Sequence, residues 1–316
     1  MQNKLLVVDQ VHPIFFQKLK NHNLLLEDVH KLADAKIQSL MPTCSILVLR
    51  SRFKINTDFL LHAPHLKLIV RAGSGMDNID MEACTKAGVI CLNTPEGNRD
   101  AVAEHALSLL LALHTKIVSA NLEVNQGIWD REGNRGHEIK GKTLGIIGYG
   151  NCGSALAKKV SGLGMNVLAY DKYFPNFSDP FAKSVSLEVL QNLSDIVSLH
   201  IPLNNENEHF VNYKWIKNFK KNIVLLNLSR GKIMRTKDIL DSLKEGKIKA
   251  FATDVLENEN FSSFNDDEKN QINQLQNNEN VLLTPHIAGW TFESYQKIGE
   301  IMANKIMNHL ESIEKN

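Results

Sequence analysis

Three polar residues stand where short apolar runs end. Arg230 closes Ile223-Val-Leu-Leu-Asn-Leu-Ser-Arg-Gly231, Glu259 lies just past Phe251-Ala-Thr-Asp-Val255, and His286 ends Val281-Leu-Leu-Thr-Pro-His. In an open parallel sheet, ligands gather beyond the carboxyl ends of the strands, so these runs, read as strands, bring the three groups to one edge. A guanidinium can clamp a carboxylate with two parallel hydrogen bonds. A histidine can exchange a hydroxyl proton near neutral pH. A carboxylate beside it fixes the ring tautomer and favours its protonated form. Taken singly, each has a plainer explanation, because the chain carries 12 histidines and most lone ones are structural. Their joint placement is what points to chemistry.

The reacting partner is read from a second motif. Thr143-Leu-Gly-Ile-Ile-Gly148-Tyr-Gly150-Asn-Cys-Gly153 is an apolar run ending in Gly-x-Gly-x-x-Gly, followed by a helical pattern through Ala155, Leu156, Val160 and Leu163. Gly148 permits a tight turn, Gly150 lets the backbone approach a pyrophosphate, and Gly153 lets helix and strand pack closely. The helix N-terminus offers unpaired N–H groups to the phosphates. Asn166-Val-Leu-Ala-Tyr170 then ends on Asp171, at roughly the spacing expected of a carboxylate that accepts from ribose hydroxyls. Such a carboxylate repels a 2′-phosphate, so NAD is expected over NADP. Lys172 is the complication, since a neighbouring cation would soften that repulsion.

These groups need a scaffold, and 316 residues are enough for two domains, each with its own core. The chain is 43% hydrophobic and 22% charged with a formal net charge of +1, which gives no electrostatic reason to expect nucleic acid or membrane partners. Cys44, Cys84, Cys91 and Cys152 show neither a Cys-x-x-Cys pair nor metal-ligand spacing, so no metal is expected and the thiols read as reduced. No signal-peptide core or long apolar stretch occurs, and a cytoplasmic protein is expected.

Apolar runs alternate with helical patterns, the mark of an α/β fold with parallel sheets. Strands are predicted at Lys4–Val8, Ser45–Leu49, Leu66–Val70 and Val89–Leu92, with amphipathic segments near Pro13–Asn21, Asp58–Leu61 and Met81–Ala87. One long helix is predicted from Asp100 to about Gln126. A second series opens at Thr143, with strands at Thr143–Ile147, Asn166–Ala169, Ile196–Leu199, Ile223–Leu226, Ala250–Thr253 and Val281–Leu283. The closing helix, Phe292–Leu310, has no second series left to join and is expected to pack on the first. Residues 1–97 plus 291–316 are therefore expected to form a discontinuous substrate domain, and 98–290 a dinucleotide-binding domain. The polar stretch Glu257–Asn280 reads as a solvated loop with one short helix near Asp267–Leu275.

The chain resembles the D-isomer-specific 2-hydroxyacid dehydrogenases nearly end to end. The matching stretches are Arg71-Ala-Gly-Ser-Gly-Met-Asp-Asn-Ile-Asp80, Asn93-Thr-Pro-Glu-Gly-Asn98, Ala103-Glu-His105, the glycine loop, Ser194-Asp-Ile-Val-Ser-Leu-His200, Asn227-Leu-Ser-Arg-Gly231, Asp254-Val255 and Thr284-Pro-His-Ile-Ala-Gly289. The resemblance implies two Rossmann-like or flavodoxin-like domains with the active site in the cleft between them. It implies that Arg230 binds the substrate carboxylate, that His286 is the acid/base, and that Glu259 supports it. Cofactor contacts are implied for Gly148, Tyr149, Gly150, Asn151, Cys152, Gly153 and Asp171, and for His200, Pro202, Asn227, Ser229, Asp254 and His286. Main-chain groups of Ala72, Gly73 and Ser74 would hold the substrate carboxylate.

Within the family, Val48-Leu-Arg-Ser-Arg52 and Arg71-Ala-Gly resemble 3-phosphoglycerate dehydrogenases, which makes Arg50 and Arg71 candidate phosphate ligands, with Arg131 and Arg135 as further cations. Glyoxylate and hydroxypyruvate reductases share parts of the pattern and remain the alternative. An NAD(H)-sensing, corepressor-like binding protein is the alternative of another class, and the complete Arg230, Glu259, His286 set speaks against it. A homodimer formed through the helix from Asp100 is implied, and a serine-sensing C-terminal domain is not expected. Three departures bear on the site. Met234-Arg235 replaces a common Val-Asp, Asn260 replaces a proline, and Cys152 replaces a branched aliphatic; Glu257 is a rival partner for His286.

Overall fold

Several apolar runs are buried along their whole length, as strands covered on both faces must be. Ile46–Leu49, Ile196–Leu199 and Ile223–Asn227 are buried at every position. The structure, a computed structural model, describes residues 3–314 and divides into two compact units.

The first unit takes the chain through Asn98 together with the stretch from Trp290 onward. Its strands are β1 (Asn3–Val7), β2 (Leu24–Asp28), β3 (Ile46–Leu49), β4 (Leu68–Arg71) and β5 (Ile90–Leu92), all parallel in the order β2-β1-β3-β4-β5. The sequence pattern gives no strand at β2 because it lies at the sheet edge with no residue fully buried. The closing helix Phe292–Glu314 covers one face, where Ile298, Met302, Ala303 and Ile306 meet Leu5, Val7, Val48 and Val70. The opposite face is closed by Ile37, Met41, Phe53, Ile55 and Leu66.

The second unit runs from Arg99 to Gly289. It contains β6 (Thr143–Ile147), β7 (Asn166–Tyr170), β8 (Ser178–Asp179), β9 (Ala182–Ser184), β10 (Ile196–Leu199), β11 (Ile223–Asn227), β12 (Ile248–Thr253) and β13 (Val281–Leu283). Their order is β13-β12-β11-β10-β6-β7-β9-β8, parallel except for β8 against β9. The chain runs outward from β6 through β7, then returns to β10 on the other side. That reversal creates the switch point at which doubly wound sheets hold dinucleotides. The β8–β9 hairpin is too short and polar to stand out in the sequence.

The predicted helix from Asp100 to Gln126 is two helices, Pro95–Thr115 and Ile117–Asn125, bent by 63°. Lys116 takes a left-handed conformation, with φ of 55°. The His114 carbonyl accepts from His137 N–H at 2.7 Å instead of continuing the helical ladder. A Cβ at Gly136 would lie 2.4 Å from that same carbonyl, so glycine is what allows the two backbones to meet. The polar stretch forms the helix Asp266–Gln276, started by a capping box between Asn265 and Glu268 and held by buried Ile272 and Leu275. Among the described residues, no single helix is long and apolar enough to cross a membrane.

Met302 and Ile306 are fully buried in the first unit's core. Truncation of either to Ala is expected to destabilise that unit by about 2–5 kcal/mol in denaturant unfolding. NADH binding to the folded protein should be retained; its parallel loss would show that the core does not belong to the first unit alone.

Candidate active site

In the second unit, β11 ends in a turn shaped by a buried asparagine. Asn227 Nδ2 donates to the Arg230 carbonyl at 2.9 Å, and its Oδ1 accepts from Ser229 N–H at 3.0 Å. Ser229 Oγ donates to the Leu199 carbonyl at 2.6 Å, tying the turn to β10. Asn227 is fully buried and Ser229 nearly so, and the two residues shape the turn that presents Arg230. A Cβ at Gly231 would sit 1.9 Å from the Leu256 carbonyl group. Glycine here lets the Arg230 turn lie directly against the backbone leading to Glu259.

Glu259 Oε2 lies 2.9 Å from His286 Nδ1. A carboxylate can only accept, so Nδ1 carries the proton and Nε2 is the ring nitrogen open to other groups. Desolvation tends to raise the Glu259 pKa, but the hydrogen bond and charge of His286, with help from Arg230, bring it below the usual carboxylate value. The rival Glu257 is committed elsewhere: it pairs with His209 Nε2 at 2.9 Å and accepts from Thr236 N–H. The proline missing at position 260 is replaced by side-chain turns. Asn258 Oδ1 accepts from Asn260 N–H at 3.0 Å, and Asn260 Oδ1 accepts from Ser262 N–H at 3.2 Å. Met234 is buried in the core and Arg235 precedes the helix Thr236–Lys244, so that departure leaves the Arg230 turn intact.

His286 itself has φ of 55°, a conformation costly for a residue with a Cβ. Its N–H donates to the Asp254 carbonyl at 2.8 Å. The Asp254 carboxylate, 1% exposed, accepts from Thr284 Oγ1 at 2.6 Å, Ile287 N–H at 2.9 Å and Ala288 N–H at 2.8 Å. Most of its lone pairs are thereby used to fold the loop that holds His286.

The glycine loop fits a dinucleotide. Gly148 has φ of 92°, and a Cβ there would lie 2.5 Å from the His200 carbonyl. A Cβ at Gly153 would lie 2.2 Å from the Gly148 carbonyl, whereas nothing stands within 4 Å of one at Gly150. That open side adjoins the N-terminus of the helix Asn151–Val160, which has no side-chain cap. NAD would lay its pyrophosphate there and supply the hydride acceptor. Asp171 Oδ2 accepts from Tyr149 N–H at 2.7 Å, while Oδ1 accepts from Tyr173 N–H and Phe174 N–H at 2.9 and 3.0 Å. Two lone pairs per oxygen leave Oδ2 with one acceptor site for a ribose hydroxyl. The complicating cation is tethered: Lys172 Nζ pairs with Glu206, which also accepts from Tyr173 Oη at 2.7 Å.

Of the other expected cofactor residues, Tyr149 turns its ring inward and stacks on Phe177 at 4.1 Å, leaving only its backbone at the loop. The His200 ring touches Ser198 Oγ at 2.9 Å, and burial lowers its pKa to about 4, so it is neutral in the fold. Pro202 is exposed beyond it. Burial raises the Cys152 thiol to about 11, partly offset by the nearby Arg230 charge, which marks a packing residue close to Arg230.

In the first unit, Ala72 N–H donates to Leu49 O and Gly73 N–H to Thr94 Oγ1. Both amides have partners within the first unit's own loops, and Ser74 Oγ donates to Asn98 Oδ1 at 2.6 Å. A Cβ at Gly73 would lie 2.5 Å from Arg71 Nη1, so the guanidinium spans this loop. Arg71 Nε also donates to the Arg50 carbonyl at 3.2 Å, and the Arg50 guanidinium lies 4.3 Å over the Trp290 ring. Arg52 is consumed by Asp34 and three carbonyls. Arg131 lies exposed, and Arg135 pairs with Glu132 on the surface.

Residues 107–288 match the sequence profile of the D-isomer specific 2-hydroxyacid dehydrogenase, NAD binding domain. The chain is 34% identical to a D-3-phosphoglycerate dehydrogenase of Methanocaldococcus jannaschii over 96% of its own length, and spans 56% of that relative. It is 33% identical to a hydroxypyruvate reductase of Thermotoga maritima, covering 93% of this chain and 94% of that one. A D-lactate dehydrogenase of Aquifex aeolicus, solved with NAD and lactic acid, superposes with a TM-score of 0.82 at 27% identity over 98% of this chain and 96% of its own. With the glycine loop and the strand-end trio in place, the chain belongs to the D-isomer specific 2-hydroxyacid dehydrogenases, and its cofactor is NAD(H).

Proposed function

We propose that this protein moves hydride between NAD(H) and a D-2-hydroxy acid, and that its substrate pair is 3-phosphoglycerate and 3-phosphohydroxypyruvate. The observation that carries the reaction type is the Glu259–His286 contact of 2.9 Å at the strand edge that also presents Arg230. In oxidation, neutral His286 takes the hydroxyl proton at Nε2, and Glu259 stabilises the imidazolium that forms. In reduction the protonated ring returns it. Arg230 clamps the carboxylate and polarises the keto oxygen.

The phosphate assignment rests on Arg50 and Arg71. Stacking on Trp290 covers one guanidinium face of Arg50 and leaves its N–H edge for an anion. Hydroxypyruvate reduction is the second reading, favoured by the match along nearly the whole of both chains with the Thermotoga maritima enzyme. We place the protein in the cytoplasm on its four unpaired cysteines. We also propose a homodimer. Ile117, Leu122 and Trp129 are 61%, 54% and 84% exposed, a concentration of apolar surface that a second copy would cover.

NADH oxidation with 3-phosphohydroxypyruvate, hydroxypyruvate and glyoxylate tests the substrate. Arg50→Ala is expected to raise KM for the phosphorylated acid about tenfold or more, the scale of one lost charged hydrogen bond, and to leave glyoxylate within about twofold. Equal losses on both would remove the phosphate assignment. For the cofactor, Asp171→Asn is expected to shift relative affinity toward NADPH by on the order of tenfold in fluorescence titration. Lys172→Met should change the ratio by less than about twofold, because Glu206 already holds that charge; a larger change would show Lys172 reading the 2′ position. Light scattering should give twice the 35.5 kDa chain mass, and Leu122→Glu should move it toward the monomer.

A further inference from the structure

The motif Ala103-Glu-His105 takes no part in the chemistry described so far, yet its histidine ends a chain of hydrogen bonds that reaches the His286 loop. His105 lies on the helix Pro95–Thr115, with 21% of its side chain exposed, and its Nε2 is 3.0 Å from Thr284 Oγ1. The hydroxyl of Thr284 has one proton, and that proton goes to Asp254 Oδ1 at 2.6 Å. Toward His105 the hydroxyl can therefore only accept, so Nε2 of His105 must carry a hydrogen and donate it. The direction of the whole chain is fixed: His105 to Thr284 to Asp254.

Asp254 is where the chain gains leverage. Its carboxylate accepts from Ile287 N–H and Ala288 N–H, and its backbone carbonyl from His286 N–H. Its own N–H donates to the Asn227 carbonyl at 3.0 Å, and the Asn227 side chain holds the Arg230 carbonyl. A carboxylate this buried keeps a single orientation only while its donors are complete. The residue it orients sits at φ of 55°, a conformation that persists only when its surroundings enforce it.

We propose that His105 is a positioning residue of this enzyme: acting through Thr284 and Asp254, it holds the left-handed turn that aims His286. It touches neither substrate nor cofactor in this scheme. The inference rests on the reading of His286 as the acid/base, and the experiment separates the two.

Amide hydrogen exchange of Ile287 and Ala288 in the cofactor-free protein is measured beside kcat and KM for wild type, His105→Ala, His105→Gln and His286→Asn. In His105→Ala the two amides are expected to exchange about tenfold faster or more, with kcat down about tenfold to a hundredfold and KM within about twofold. His105→Gln, whose amide can donate from a comparable place, should restore most of both. Thr284→Ser against Thr284→Val repeats the test without altering the helix, should His105→Ala fold poorly. Wild-type exchange or wild-type kcat in both His105→Ala and Thr284→Val overturns the proposal. Turnover surviving in His286→Asn would instead remove the acid/base reading, whatever the exchange at Ile287 and Ala288.

Discussion

The carboxylate of Asp254, with almost no solvent contact, accepts from one hydroxyl and two main-chain N–H groups that all belong to the segment 284–288. An ionised group in such a place is tolerable only because its donors replace the water it has lost. Those same donors curl the chain tightly enough to put His286 in the left-handed region. The loop is therefore folded around a charge, and the position of the imidazole follows from that charge. Because Asp254 also donates to Asn227, whose side chain closes the Arg230 turn, the guanidinium and the imidazole share one foundation.

The cofactor half obeys a different constraint, the close approach of backbones. Gly148, Gly153 and Gly231 each stand where a Cβ would meet a carbonyl group at 2.5 Å or less. The first two fold the turn against β10 and the helix that follows it, and the third brings the Arg230 turn against the backbone before Glu259. Asp171 completes the arrangement by accepting three N–H groups, so that its remaining acceptor site has a set direction. Preorganised carboxylates of this kind cost little to use when a ligand arrives, because their orientation is already fixed.

Much of this was legible in the sequence because it follows from residue types. Fully buried parallel strands such as β10 and β11 announce themselves as apolar runs, and a strand-end residue such as Arg230 or His286 inherits its place from the run before it. The pairing of Glu259 with His286 came from the chemistry such a pair performs. What was hidden depended on partners distant in sequence. The break at Lys116 is caused by His137 taking the His114 carbonyl, which no helical pattern near Lys116 can reveal. The edge strand β2 lacks a buried face to mark it. The hydrogen bonds by which Asn227 and Ser229 hold the Arg230 turn and tie it to Leu199 depend on the folded backbone, which residue type alone does not reveal. The internal partners of the Ala72 and Gly73 amides, Leu49 and Thr94, are likewise distant in sequence. His105 was visible as a motif, but its task was not, since Thr284 stands far along the chain.

Proton exchange at His286 beside bound NAD(H) is the step on which the proposed reaction depends. Its most direct test is single-turnover hydride transfer from NADH to 3-phosphohydroxypyruvate in His286→Asn, with NADH affinity measured on the same protein. Transfer should slow by about 10²–10⁴ while NADH affinity stays within about twofold of wild type. Transfer at the wild-type rate with intact NADH binding would contradict it.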